Sequence, residues 1–185
     1  MLKTIVTSVL ALLVASLFAS RAAAQAPGAA EIGYDLGLSI LMPEGDDVLI
    51  LATPRTMSIG VSTVRAGFYL SPHGELEPSF GLMLVSSGGS TITQFGLGLD
   101  YLYNFGGGRQ KTRPFLMGGG RMVSFSGGNA SESQFGLGGG FGAKSTIGER
   151  AAMRYSAELV HQFESDNFAA RWDVAFAIGI SVFTK

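Results

Sequence analysis

From residue 31 onward, apolar side chains recur at every second position, the period of an extended strand with one apolar face and one polar or small face. In 31–40, Ile32, Tyr34, Leu36, Leu38 and Ile40 alternate with Glu31, Gly33, Asp35, Gly37 and Ser39. The same rhythm predicts further strands over 58–70, 75–86, 92–105, 113–125, 133–144, 151–163 and 169–183. Between them lie turn formers such as Ser71-Pro72-His73-Gly74, where proline fixes φ and glycine accepts a positive value. The segment 42–57, with Pro43, Gly45, Asp46, Asp47 and Pro54, is a long loop. Its short apolar piece Val48–Leu51 either extends a strand or covers one end of the fold.

Particular strands carry particular expectations. In 58–70 the apolar phase passes from Ile59, Val61 and Thr63 to Val64, Ala66, Phe68 and Leu70, which predicts a bulge or phase change near Thr63. Pro78 cannot donate to a ladder, so the third strand is expected to start near Ser79. In 92–105, Phe95, Leu97, Leu99, Tyr101, Tyr103 and Phe105 oppose Gly96, Gly98, Asp100, Leu102 and Asn104. In 113–125 the apolar face is assigned to Phe115, Met117, Val123 and Phe125, with Gly119 and Arg121 in the same phase. Arginine facing lipid at mid-depth costs about 2–4 kcal/mol, so Arg121 either lies near the headgroups or is turned inward by a bulge. In the seventh strand Met153, Tyr155, Ala157, Leu159 and Phe163 face outward, against Arg154, Ser156, Glu158 and Gln162. In the last, Trp172, Val174, Phe176, Ile178, Ile180 and Val182 oppose Arg171, Asp173, Ala175, Ala177, Gly179 and Ser181, and Phe183 is out of phase with the apolar face.

The first residues set the compartment. Lys3, the apolar run Ile5–Phe18 and the small residues Ala22-Ala23-Ala24 before Gln25 have the layout of a cleavable signal peptide. The run is shorter than the roughly 18–20 apolar residues of a membrane-spanning helix. The expected organisation is therefore a signal peptide over 1–24, a short leader over 25–30 and a barrel domain over 31–185. The chain has no cysteine, which excludes disulfides and a lipoprotein anchor. Later apolar stretches are short and interrupted by many of the 27 glycines, so any membrane span must be made of strands. Such a barrel tolerates glycine in its strands where glycine relieves crowding on a narrow, strongly curved wall. The fold class is thus all-β: a closed antiparallel eight-stranded up-and-down transmembrane β-barrel. Its turns after the second, fourth and sixth strands would be periplasmic.

Charge narrows the function. Thirteen Lys and Arg face fourteen Asp and Glu, and loss of Lys3 and Arg21 with the leader makes the remainder more acidic. Nucleic-acid binding has no electrostatic support. Eight strands enclose an interior about wide enough for side chains or one small ligand. Asp35, Asp100, Arg154, Glu158, Arg171 and Asp173, with Glu31 and Glu77, fall on the inward face. They form either a paired polar filling, which carries the greater weight, or a narrow ion path, and strand adjacency pairs Arg154 and Glu158 with Asp173 and Arg171. His73 and His161 lack the neighbours of a metal site, and Ser156, Glu158 and His161 do not converge as a triad because His161 is in the opposite phase. No catalytic residue, metal or cofactor is expected.

Gln94-Phe95-Gly96-Leu97-Gly98-Leu99-Asp100-Tyr101, Arg113-Pro114-Phe115-Leu116-Met117-Gly118-Gly119-Gly120 and the aromatic-rich final strand, behind a signal peptide, resemble the outer-membrane β-barrel superfamily. The resemblance covers 31–185 and is to its small eight-stranded, porin-like members, similar to the transmembrane domain of outer-membrane protein A. It implies residence in a bacterial outer membrane, a structural or narrow-channel role, and contact with outer-membrane lipids and the outer-membrane assembly machinery, with a monomer favoured. Members of this group usually end in an aromatic residue, whereas Phe183 is followed here by Thr184 and Lys185. The rival reading is a soluble periplasmic lipocalin-like barrel with its apolar face turned inward around a small ligand. A more remote one is an outer-membrane lipid-modifying enzyme. The first rival would expose aromatic surface to water on a scale soluble proteins do not tolerate.

Overall fold

In a computed structural model of the chain, residues 27–43, 50–52, 64–87, 90–106, 110–127, 130–166 and 168–184 are described. The predicted signal peptide, the phase change near Thr63 and Val48 lie outside them. Antiparallel strands dominate, as the period of two requires: β1 (Ala30–Pro43), β2 (Ile50–Ala52), β3 (Val64–Tyr69), β4 (Gly74–Ser87), β5 (Ser90–Asn104), β6 (Thr112–Gly127), β7 (Ala130–Thr146), β8 (Ala151–Gln162) and β9 (Arg171–Phe183). Each strand from β3 onward pairs with the next, and β1 pairs with β9 from Glu31↔Phe183 to Pro43↔Arg171, so the sheet closes. On its other side β1 pairs with β3 through Ala30–Tyr34 and with β2 through Ser39–Leu41. β2 and β3 therefore lie along the same side of β1, and the barrel has eight staves. The apolar piece that begins at Val48 extends a strand, through Ile50 and Leu51.

Closure gives β1 and β9 each other as partners, which matters because hydrocarbon offers no partner to an orphaned N–H or C=O. The outer surface is apolar. Ile32, Tyr34 and Leu36 of β1, Leu97, Leu99 and Tyr101 of β5, Leu137 and Phe141 of β7, and Phe176, Ile178 and Ile180 of β9 are all exposed. The charges face in: Glu31, Arg65, Glu77, Asp100, Arg121, Lys144, Arg154 and Asp173 are buried. This arrangement is the inverse of a soluble ligand-binding barrel and removes the lipocalin-like alternative.

Two local expectations are corrected. β4 begins at Gly74, not near Ser79. Pro78 is accommodated because its pairing to Leu99 of β5 persists, while the ladder to β3 skips the Glu77–Pro78 stretch between Ser79↔Arg65 and Leu76↔Phe68. The second correction concerns β6, whose phase is opposite to the assigned one. Phe115, Met117 and Val123 are buried in the lumen with Arg113 and Arg121, whereas Leu116 is exposed on the outside. Arg121 reaches the interior on the regular alternation, with no bulge. The energy of keeping two arginines out of lipid outweighs the burial of a few larger apolar side chains in the lumen.

Narrowness is built in by glycine at points of close approach between staves. A Cβ on Gly119 would lie 2.1 Å from the Leu99 carbonyl oxygen, and one on Gly140 would lie 2.3 Å from that of Ala157. At the end where Ala30 meets Thr184, Phe183 is buried with Tyr69, Ala29 and Ala152, its ring centroid 6.5 Å from that of Tyr69. Its departure from the outward phase is thus real: it points into the lumen. Thr184 fastens the seam, its N–H donating to the Ala30 carbonyl at 2.8 Å.

Two outcomes follow. Gly140→Val forces a side chain into the β8 backbone and is expected to abolish the compact, heat-modifiable form on a gel, while Gly148→Val, in an open turn, leaves it intact. Leu99→Arg on the outer face is expected to cost about 2–4 kcal/mol in urea unfolding from lipid vesicles.

Candidate functional site: the charged lumen

Because the strands alternate, their inward side chains recur at two-residue intervals where they are described, and the long ones meet across a narrow bore. At the turn end, Tyr69 donates to Glu31 Oε2 at 2.9 Å. Lys144 Nζ from β7 lies 2.7 Å from both Glu31 Oε2 of β1 and Glu75 Oε1 of β4, joining well-separated staves. Asn104 Nδ2 donates to Glu75 Oε2 at 3.1 Å. Just above, Arg65 pairs with Glu31, with Asp35 at 3.0 Å and with Glu77 at 3.2 Å, and donates to Ser181 Oγ at 2.6 Å. Arg154 pairs with Glu77, and its guanidinium lies over the Phe115 ring, 4.9 Å from the centroid. These charged side chains are at most 5% exposed, so the bore is filled at this level.

At mid-depth Arg121 bridges two acids, Asp100 at 3.0 Å and Glu158 at 2.6 Å. Ser156 Oγ donates to Glu158 Oε1 at 3.1 Å. Toward the loop end Arg171 donates to Gln134 Oε1, and Gln134 Nε2 donates to the carbonyl oxygens of Phe163 at 2.8 Å and Ala169 at 3.3 Å. Asp173 is buried on the same face of β9, two residues from Arg171.

All six singled-out residues, Asp35, Asp100, Arg154, Glu158, Arg171 and Asp173, are thus buried in the lumen. The expected pairing of Arg154 and Glu158 with Asp173 and Arg171 is corrected. Arg154 pairs with Glu77 of β4, and Glu158 with Arg121 of β6. On the wall, Arg154 and Glu158 sit opposite Gly179 and Ala175 in the ladder, and long side chains in a narrow bore find partners across it rather than on the next stave. Sequence reasoning also passed over Arg65 and Lys144, which together with Arg121 hold the network together. Each lies in phase with polar or small neighbours on its strand apart from the misassigned β6, a signal present in the alternation itself.

Groupings with the residue types for other chemistry are occupied by cations or held apart. Carboxylate oxygens of Glu31, Glu75 and Glu77 lie within 4.8 Å of one another, a spacing that would hold a cation, and Lys144 and Arg65 supply that charge. His161 is on the outer face with Trp172, ring centroids 4.7 Å apart, and with Phe163 at 5.2 Å, so it does not meet Ser156 and Glu158 in the lumen. His73 belongs to the turn end, stacked on Tyr103, with Nδ1 2.9 Å from the Asn104 carbonyl oxygen.

Removing one partner from a buried pair costs more than the pair itself contributes. Arg121→Met strands Asp100 and Glu158 and is expected to lower stability by about 3–5 kcal/mol in urea unfolding from vesicles. The triple variant Arg121→Met/Asp100→Asn/Glu158→Gln is expected to recover most of that loss. Equal losses in both variants would refute the bridge.

Comparison with known proteins agrees with this architecture. No curated protein matches the sequence significantly. Among solved structures, Neisserial surface protein A superposes with a TM-score of 0.63 at 13% identity, covering 84% of this chain and 98% of that one. The attachment invasion locus protein Ail of Yersinia pestis, in complex with the heparin analogue sucrose octasulfate, gives 0.51 at 12% identity, covering 85% and 99%. The outer membrane protein OprG of Pseudomonas aeruginosa gives 0.50 at 11%, covering 86% and 97%. At such identities the likeness is one of fold. The family of outer membrane protein beta-barrel domains matches residues 9–182, and by its sequence, its closed wall and its inverted polarity this chain belongs to that family.

Proposed function

We propose that the protein is a structural, non-conducting barrel, exported by the signal peptide in 1–24, inserted by the outer-membrane assembly machinery, and held as a monomer among outer-membrane lipids. The observation that carries this reading is the turn-end network. Glu31, Glu75, Glu77, Arg65, Lys144 and Arg154 interlock across the bore with side-chain exposures of 0–3%, above an apolar stopper of Phe183 and Tyr69. An ion moving along this axis would have to part several buried pairs, each worth several kcal/mol once separated. The buried acids and bases also come close to balancing, so the lumen lacks the one-sided lining that selects permeant ions.

In this reading the turns Ser71–Gly74 and Ile147–Arg150 face the periplasm, and the β8–β9 connection faces outward. The apolar exterior serves as the lipid contact, with Tyr101, Tyr103 and Phe105 near the headgroups at one end and Trp172 and Phe163 at the other. No catalytic step is part of it.

Expression of the full-length chain, membrane fractionation and electrophoresis with and without boiling provide the first test. Recovery in the outer-membrane fraction with a mobility shift on boiling is expected. The purified barrel in a planar bilayer is then expected to give no stepwise conductance. Reproducible single-channel steps would instead establish a narrow channel.

A further inference from the structure

The connections at the loop end of the barrel are of two kinds. β4–β5 and β6–β7 are tight hairpins whose pairing runs to Ser87↔Ser90 and Gly127↔Ala130, so they continue the wall. The β8–β9 connection is longer and folds inward over the mouth of the bore. On the lumen face of β6 and β7, Phe125 and Glu132 stand opposite each other in the ladder, one inward row above Val123 and Gln134. The connection packs on both rows. The Phe168 ring lies 5.3 Å from that of Phe125, and Ser165 Oγ donates to Glu132 Oε1 at 2.5 Å. Gln134 Nε2 donates to the carbonyl oxygens at both ends of the connection, Phe163 at 2.8 Å and Ala169 at 3.3 Å, while its Oε1 accepts from Arg171. Beneath this cover Val123 and Gln94 are at most 5% exposed.

The connection is attached differently from a strand. Both its ends leave the wall at one rung, Gln162↔Arg171. The Phe163 N–H still donates to the Phe135 carbonyl, and beyond it the described backbone hydrogen bonds of the connection are internal, between Ser165 and Phe168. Side chains make the remaining described contacts with the wall. Lifting the connection therefore parts one aromatic pair and a few side-chain hydrogen bonds and leaves the ladder whole. Such local opening costs far less than unfolding of the barrel. Return of Gln134 and the Arg171 guanidinium to water offsets part of the loss.

From this we infer that the β8–β9 connection is a hinged lid, latched by Phe168 on Phe125 and by Gln134, that opens and closes on the loop-end mouth while the wall stays intact. It controls whether water and solutes on that side reach Gln94, Val123 and Arg171. That this side is the outside of the cell rests on the proposed outer-membrane orientation. The turn end has no equivalent, because its stopper, Phe183 against Tyr69, is carried by β9 and β3 themselves.

Val123→Cys places a thiol under the lid, and Gln94→Cys, opposite Phe125 in the ladder, is a second reporter. Glu164→Cys, exposed on the connection itself, gives the rate of a free thiol, and Ala152→Cys, buried at the turn end, reports unfolding of the wall. Each full-length variant, verified as a barrel by its mobility shift on boiling, is reacted with a membrane-impermeant maleimide in intact cells and, after purification, in detergent. The two thiols under the lid are expected to react much more slowly than Glu164→Cys. Adding Phe168→Ala and Ser165→Ala is expected to speed them roughly tenfold or more, the scale of one aromatic pair and one hydrogen bond lost, with Ala152→Cys and the mobility shift unchanged. Rapid reaction under an unaltered lid would overturn the inference, as would a rate that the lid variants leave unchanged or that rises together with that of Ala152→Cys. The expected pattern in detergent with no reaction in intact cells, Glu164→Cys included, would support the lid and refute the orientation instead.

Discussion

Everything in this fold depends on the absence of water outside it. In hydrocarbon, a backbone donor or acceptor without a partner costs several kcal/mol, so the sheet has to close on itself. Closure is achieved by the thirteen-residue β9 lying along β1 and by two short segments, β2 and β3, lying along its other side. Once the wall is closed, charged side chains have a single place to go. A bore only eight staves around cannot hold many of them hydrated, so they must neutralise one another. Lys144 between Glu31 and Glu75, Arg65 among Glu31, Asp35 and Glu77, and Arg121 between Asp100 and Glu158 are the result. Such pairs add little net stability compared with an apolar filling. Their consequence is specificity: the strand phases cannot slip by one residue without turning these charges toward lipid.

Most of the architecture was legible because a half-lipid, half-lumen strand has to alternate. The positions of the strands, the inward acids of β1, β5 and β8, and the outward aromatics of β5 and β9 all follow from that rhythm. β6 defeated the reading for an instructive reason. Its two phases, Phe115-Met117-Val123 and Leu116-Gly118-Met122, differ little in hydrophobicity, and size favoured the wrong one. Charge decides between them. Arg113 and Arg121 share the phase of Phe115, and two guanidiniums in lipid would cost far more than a Phe and a Met placed in the lumen. The lumen accepts them because it is a packed interior at that level: Phe115 lies against Leu102 and Met117 and carries Arg154 over its ring.

The partners within the lumen were not legible. Alternation gives the side of the wall on which a residue sits but neither the stagger between staves nor the reach across the bore. Arg154 and Glu77 are 77 positions apart in the chain and Lys144 and Glu31 are 113, and only the closed geometry brings them together. Neighbouring strands were the natural guess for Arg154 and Glu158, and the short distance across the bore overrode it. The same geometry explains Phe183. As the last strand residue at the turn end it continues the inward phase of Gly179 and Ser181, and there it packs on Tyr69 to stop the bore.

The most direct test is a double-mutant cycle on Lys144→Met and Glu75→Gln, read by urea unfolding of the barrel from lipid vesicles. Residues that share a buried network are expected to couple by about 2 kcal/mol, so that the double variant loses that much less than the sum of the two single losses. Strictly additive losses would contradict a lumen held closed by interlocked charges.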